Sequence, residues 1–486
     1  MGVKYENKNK NVAISKERTL RNDYAFQDYL SNKTSSDSRY YTFDELFDIC
    51  ETKFDCDKIC GQFQYCQISD VSKDGLPCPV TLNFDERGLL DENYYKKIEK
   101  GDIIEVDTND ILLSFLIPQD KTLVGKFLRV NEQCSGIFFT NAFIRIKPKM
   151  FPEIMYYFLR GPLYKDILAV SRIRKGYTGY ATIAAEDLKT IHIQKKFVDL
   201  IAANYDYLKT QILSIENDIF RQITTLSSAQ ELIDTIFSHN FGFNLDELET
   251  KKQSKFAFIP QSNFSNNPDL RFSAKFHRDS GNFIMQELTN RTDKKIKHYL
   301  AEPIVLGASV SPMNYSDNGE YCYISMASIK NWKFDLESAS TVSKEYSDSK
   351  QAKTVQKNDI IFARSGEGTI GKVALIDDNE LQGIFSDFTM RIRLKDYNPE
   401  FAYYYFRTSY FQYLIEIYKK GLGNNTNIFP IVVREFPMLD VSMEEQQRIV
   451  DEIHSEISKQ DQIKANISNL RSKIDGIIEN TIVYGK

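Results

Sequence analysis

Residue patterns for catalysis and metal binding are scarce in this sequence. Its five histidines, His192, His239, His277, His298 and His454, are scattered, and none has a Ser, Cys or second His at a helical ligand spacing. Each reads as a surface or satisfied core histidine, and no catalytic constellation emerges. The seven cysteines include no Cys-x-x-Cys pair. Only Cys56 and Cys60 come close, so reduced thiols are expected rather than zinc. A DNA adenine methyltransferase would carry an Asn/Asp-Pro-Pro-aromatic motif for a flipped base. Asn267-Pro268-Asp269-Leu270 fails it at the second proline and at the aromatic. No segment approaches the ~18 uninterrupted apolar residues of a membrane span. Met1 to Lys10 is polar with no apolar stretch behind it, and Glu6 stands where a myristoylation site needs Ser or Thr. The expected location is the cytoplasm. A basic excess is missing too: the net charge is −5. DNA-binding domains are commonly basic, so any nucleic-acid surface here must gather its cations on one face.

Aromatic residues are abundant, with 33 Phe and 28 Tyr against one Trp. The plainest account is two well-filled cores, because the chain states nearly the same pattern twice. Asn109-Asp110-Ile111-Leu112-Leu113 returns as Asn358-Asp359-Ile360-Ile361-Phe362. Gly125-Lys126-Phe127 returns as Gly371-Lys372-Val373, and Gly136-Ile137-Phe138 as Gly383-Ile384-Phe385. The run from Pro152 to Arg160 (PEIMYYFLR) returns from Pro399 to Arg407 (PEFAYYYFR). Offsets of 246 to 249 residues, half the chain, mark a duplicated domain rather than a solenoid repeat.

Each half opens with short β-favouring runs bounded by Gly, Asn, Asp and Pro, such as Ile111 to Leu116 and Phe143 to Ile146. Their counterparts are Asp359 to Ala363, Lys372 to Ile376 and Met390 to Leu394. Each then reaches a Pro-Glu helix start and the Tyr-rich amphipathic run. A long helix follows. No Gly or Pro interrupts Lys196 to Phe241, and Tyr205, Ile212, Ile219, Leu226 and Ile233 recur every seven residues beside Leu208, Ile215, Gln222, Ala229 and Ile236. From Met443 to Asp475 the columns are Ile453, Gln460, Ile467, Ile474 and Ile449, Glu456, Ile463, Leu470, Ile477. A shift of 241 residues superposes the two patterns. A 40-residue helix would be about 60 Å long. The expected architecture is α/β of the α+β type: two similar mixed domains separated by a helical pair acting as a coiled-coil-like spacer. Its expected parts are 1–195, a helix over 196–241, 242–440, and a second helix over 441–486.

Two kinds of site can be weighed. Gly366-Glu367-Gly368-Thr369-Ile370-Gly371-Lys372-Val373 fits seven places of a P-loop, but Val373 has no hydroxyl for Mg²⁺ and strand-like residues follow. It reads as a Gly-rich turn between strands, with an NTPase as the lesser alternative. After the Tyr-rich helices come Ser171 to Tyr180, with Arg172, Arg174, Lys175, Tyr177 and Tyr180, and Lys419 to Asn427, with Lys420, Asn424 and Asn425. Both combine cations for phosphates, glycines for close approach, and polar or aromatic side chains. A solvated helix C-terminus would look similar.

In order, each half holds Leu-Arg-x-x-x-x-Phe (Leu20 to Phe26; Leu270 to Phe276) and Tyr-Cys-x-Ile-Ser (Tyr65 to Ser69; Tyr321 to Ser325). The Asn-Asp-Ile strand, Gly-Lys turn, Pro-Glu-x-x-Tyr-Tyr helix and basic Gly loop follow, and then the long helix. This order, occurring twice, resembles the specificity subunit of type I restriction-modification systems. Glu445-Gln446 matches that family's start of the second long helix, whereas Lys195-Lys196-Phe197-Val198 departs from it in the first. The resemblance implies a non-catalytic protein whose two target-recognition domains each read half of a split, asymmetric double-stranded DNA site, with two antiparallel helices setting the spacing. It further implies two partner methyltransferase (modification) subunits carrying S-adenosylmethionine, and restriction subunits using ATP and Mg²⁺ for translocation in phage defence. Open alternatives are the specificity subunit of a combined methyltransferase-nuclease, of type IIB kind, and a coiled-coil scaffold that never touches DNA.

Overall fold

The computed structural model describes residues 39–50, 61–71, 75, 77–83, 92–118, 125–134, 136–173, 180–253, 258–262, 276–336, 339–366, 368–421 and 425–483. The Leu20 to Phe26 motif and most of Leu270 to Phe276 lie outside them. The chain forms two compact units. One holds residues 1–224 and 465–486, the other 225–464.

Among the described residues both units are built on one plan. The first has a four-stranded antiparallel sheet in the order Phe47–Cys50, Phe143–Pro148, Ile111–Ser114, Phe127–Arg129. The second repeats it as Val305–Leu306, Thr389–Ile392, Ile360–Ala363, Val373–Leu375. A three-stranded sheet accompanies each, with a parallel pair between Gln62–Cys66 and Ile137–Phe139 and between Tyr321–Ile324 and Gly383–Phe385. All four residues of Ile111–Ser114 and of Ile360–Ala363 are buried. Alternation divides them between two cores. Ile360 and Phe362 face the helices with Phe401 and Tyr405, and Ile361 and Ala363 pack with Ile324 and Phe385.

The repeated Asn-Asp-Ile is a folding device. Asn109 and Asn358 take left-handed φ of 72° and 73°, which Asn tolerates better than most residues. Their amides reach Val130 O and Ile376 O, both at 2.7 Å. The next residue, Asp110 or Asp359, is fully buried and pairs with an arginine: Arg145 Nε at 2.5 Å, or Arg393 Nε at 2.7 Å. Each carboxylate also accepts the amide three residues earlier, that of Asp107 or Gln356. The Tyr-Cys-x-Ile-Ser match is displaced by two residues. Thr140 N donates to Cys66 O and Ser386 N to Ile324 O, so the Gly-Ile-Phe match is itself displaced by one and Phe138 aligns with Ile384. Tyr65, opposite Phe138, therefore corresponds to Tyr323, opposite Ile384, and not to Tyr321.

The expected single helix over 196–241 is three helices, Lys195–Ala203, Tyr205–Ile223 and Ala229–Phe241. Ser228 ends the continuity. Its hydroxyl accepts from Glu231 N (3.1 Å), and its own amide donates to Glu231 Oε2 (2.7 Å). This Ser-x-x-Glu capping box is a stronger local signal than the heptad running through it. Leu226, read as a seam position, therefore lies in the break. The C-terminal helix is continuous over Met443–Ile478.

Within each unit the helical segments run antiparallel. In the first, Asn466 Nδ2 donates to Gln222 Oε1 (2.8 Å), and Lys195–Ala203 packs on Glu479–Val483. In the second, Ser227 N donates to Gln460 Oε1 (2.9 Å) and Arg448 bonds Asn240. Of the other seam residues, Ile212, Ile219, Ile233, Ile453, Ile467 and Ile474 are buried and Leu470 is half-buried. Ile233 and Ile453 belong to the core that contains Phe401 and Tyr405. They serve the domain core as well as the pairing of helices.

Asp359→Ala is expected to destabilise the second unit by about 3 kcal/mol, because it leaves the half-buried Arg393 guanidinium only Glu302 at 3.4 Å and strands the Gln356 amide. The midpoint of urea denaturation checks this.

Candidate nucleic-acid interface

The two loops singled out by composition occupy matching places. In the first unit the chain leaves the Tyr-rich helix Pro152–Arg160 and the helix Tyr164–Val170, then forms the hairpin strands Arg172–Ile173 and Tyr180–Thr182. Tyr180–Thr182 pairs with Leu116–Pro118, the strand that follows the central one. In the second unit Lys420 and Asn427 pair with each other, and Asn427 bridges Ser365 just after Ile360–Ala363. Each domain thus carries a ribbon hung from the end of its central strand.

The second ribbon is described in more detail. Gly421 has φ 112°, and a Cβ there would lie 2.3 Å from Asn425 O, so the turn requires glycine. Lys420 and Asn425 are exposed. Lys419 is not a phosphate contact in this arrangement. Its side chain is 8% exposed and its Nζ lies 2.8 Å from Glu416 one helical turn earlier. Asn424 lies outside the described residues, as do Arg174, Lys175 and Tyr177. Arg172 and Tyr180 are placed in paired strands.

Arg364 is the residue that sequence reasoning missed. It leaves the central strand, donates from Nε to Asp387 O (2.8 Å) and from Nη1 to Asn427 Oδ1 (3.2 Å), and lies over the Phe429 ring at 5.9 Å. Phe429 and Phe388, whose carbonyl accepts the Arg364 amide, are exposed. A half-exposed guanidinium held against a ribbon and flanked by exposed aromatics suits a nucleic-acid surface. Its only sequence signal is its position just before the glycine-rich turn.

That turn is no phosphate cradle. The amides of Ile370, Gly371 and Lys372 donate to Gly366 O, Ala363 O and Thr369 O, at 2.8, 2.8 and 3.0 Å. Ile360–Ala363 and Val373–Leu375 flank it as an antiparallel pair. Cys66 and Cys134 are buried, and burial pushes the Cys66 thiol up to about 12, whereas Cys78 is exposed. No group of three or more His, Cys, Asp or Glu among the described residues could hold a metal. Cys56 and Cys60 lie outside them. No described helix is long and apolar enough to cross a membrane.

Residues 306–470 match the family model of the type I restriction modification DNA specificity domain. That segment, within the second half of the chain, carries the family's domain. The first half repeats the strand order, the Asn-Asp-Ile turn, the Tyr-rich helix and the ribbon of the matched half. No curated protein matches. Among solved structures, the chain is similar to a protein from work on complex assembly and conformational transition of the type I R-M system, with 12% identity over 91% of this chain and 97% of that one, at TM-score 0.40. It is also similar to the HsdS subunit from Thermoanaerobacter tengcongensis, with 12% identity over 91% and 96%, at TM-score 0.33. The S subunit of a type I system from M. genitalium gives 13% identity over 93% and 98%, at TM-score 0.37.

Lys420→Ala is expected to lower the slope of log affinity for DNA against log salt by about 0.9, the value of one phosphate contact. Lys419→Ala should leave the slope unchanged and lower the melting temperature instead. Salt titrations of DNA binding, with thermal melts of both variants, check the contrast.

Proposed function

We propose that this chain, as the DNA-recognition subunit of a type I restriction-modification system, reads a bipartite, asymmetric site through its two ribbon-bearing domains. The observation that carries this reading is one domain plan present twice with different ribbons. The sequence segment of the first ribbon carries Arg172, Arg174, Lys175, Tyr177 and Tyr180; that of the second carries Lys420, Asn424 and Asn425, with Arg364 bonded to Asn427. A shared scaffold with unlike recognition loops reads unlike half-sites. Cations position the duplex through its phosphates, while Asn and aromatic side chains bear on base edges. Half-sites about one helical turn, ~34 Å, apart present their major grooves on one face of the duplex.

The chemistry belongs to partners in this proposal. Two methyltransferase subunits would bring S-adenosylmethionine, and restriction subunits would bring ATP and Mg²⁺. The chain itself is non-catalytic, and the complex would work in the cytoplasm against foreign DNA. The net charge of −5 accords with a division in which partner subunits supply much of the DNA-facing positive charge.

Long-read methylation mapping, in a host lacking background methylation and expressing this chain with its neighbouring methyltransferase, tests the proposal. The expected result is modified adenine in a motif of two short blocks separated by a fixed gap. A soluble, co-purifying pair that leaves no new methylated motif would contradict it.

A further inference from the structure

The first unit contains a cavity of about 520 Å³, a volume suited to a small ligand. Its lining includes Gly75, Tyr156, Arg160 and Arg129, with Glu216 and Arg471 on the helical side. The duplication shows what this space is for in the other copy. Tyr156 and Arg160 correspond to Tyr403 and Arg407 on the second Tyr-rich helix. Gly75 lies in the turn after the short helix Ile68–Asp70, and Trp332 in the turn after the matching helix Met326–Ser328. Tyr403 Oη donates to Trp332 O (2.7 Å), and a Cβ on Gly75 would come 3.0 Å from Tyr156 Oη. The chain's one tryptophan therefore stands where the first unit has a glycine, and Arg407 lies over its indole ring at 5.4 Å. Gly75 also has φ 75°, and a Cβ there would meet Phe127 O at 2.4 Å, so no side chain fits at that position.

The walls differ in charge as well. Arg129 pairs with Ile111 across the sheet, as Leu375 does with Ile360, so Arg129 replaces a leucine. In the helix register Glu216 replaces Ile457, and Arg471 replaces Gln230. Both oxygens of Glu216 are engaged, one by Arg129 Nη2 (2.6 Å) and the other by Tyr157 Oη (2.7 Å). Arg129 Nε is buried without an acceptor among the described residues. Burial pulls Arg471 down to about 10, with Asp475 opposing. A negative group reaching these guanidinium groups would add charge-assisted hydrogen bonds.

We infer that this cavity binds a nucleotide, with a planar base on Arg160 where the second unit stacks Trp332, and a phosphate against Arg129 and Arg471. Guanidinium–ring stacking and charge-assisted hydrogen bonds together select an aromatic anion over either part alone. Trp332 stands in the matching place of the second unit, so the ligand would act on the first recognition domain. The inference is independent of the DNA-reading role, since methylation of a bipartite motif can persist whether or not a nucleotide binds here.

Equilibrium dialysis and saturation-transfer NMR on the full chain, with adenosine 5′-monophosphate, adenosine and inorganic phosphate as probes, test it. Expected is one saturable site for the monophosphate, with adenosine and phosphate each weaker by about tenfold or more. Arg471→Gln, which installs the second copy's residue, should weaken the monophosphate by about tenfold. Arg129→Leu combined with Glu216→Ile should do the same by the second copy's own lining, and Leu213→Trp should block the site by filling it. Thermal melts identify any variant that has lost its fold, and the remaining variants then decide. No monophosphate binding at millimolar concentration would overturn the inference. So would phosphate binding as tightly as the monophosphate, or unchanged binding in every folded variant.

Discussion

The structure depends on two helices that are buried along nearly their whole length. Every residue from Ile154 to Leu159 and from Phe401 to Arg407 is buried. A helix apolar on all faces cannot sit on a sheet alone, so each must also be covered from the side away from it. The covering segments come from distant parts of the chain. In the second unit, Ala229–Phe241 lies against Pro399–Arg407, with Asp234 accepting from Ser409 N and Oγ at 2.7 Å and Gln230 donating to Arg407 O at 2.7 Å. In the first unit that place is taken by residues after Ala465, where Asp475 and Tyr156 hold the Arg160 guanidinium charged against its burial. Each buried Phe or Tyr contributes about 2 kcal/mol. The first domain therefore cannot complete its core from one contiguous stretch, and each unit includes helical segments as structural parts of its core.

With the core fixed twice in the same way, divergence is confined to what hangs from it. The buried Asp–Arg pairs, the left-handed Asn turns and the parallel strand pairs recur. The ribbons do not, and neither does the space beside Arg160 and Arg407. A scaffold that tolerates different loops at the end of its central strand is suited to reading different DNA sequences.

Much of this was legible in the residues. The duplication, the strand positions, the Pro-led helices and the turn within Gly366 to Val373 follow from local pattern. The errors have local causes too. The heptad columns crossed Ser228 without regard to its capping partner Glu231, although the Ser-x-x-Glu signal stands in the sequence. Lys419 shares the basic composition of a phosphate-binding loop, but Glu416 stands one turn before it, the spacing at which ion pairs form on a helix. The Tyr-Cys alignment slipped by two residues, an error that keeps every side chain on the same face and so leaves the hydrophobic pattern unchanged. Arg364 was invisible because its role is tertiary: Asp387 reaches it from one distant segment, and Asn427 and Phe429 from another.

The most direct test of this construction is hydrogen exchange on a chain ending at Lys464. Residues 465–486 follow the second domain in sequence but complete the first. The account predicts that protection falls in Pro152–Arg160 and Tyr205–Ile223, while Pro399–Arg407 and Ala229–Phe241 keep theirs. Loss of protection in the second unit, with the first unit unaffected, would contradict it.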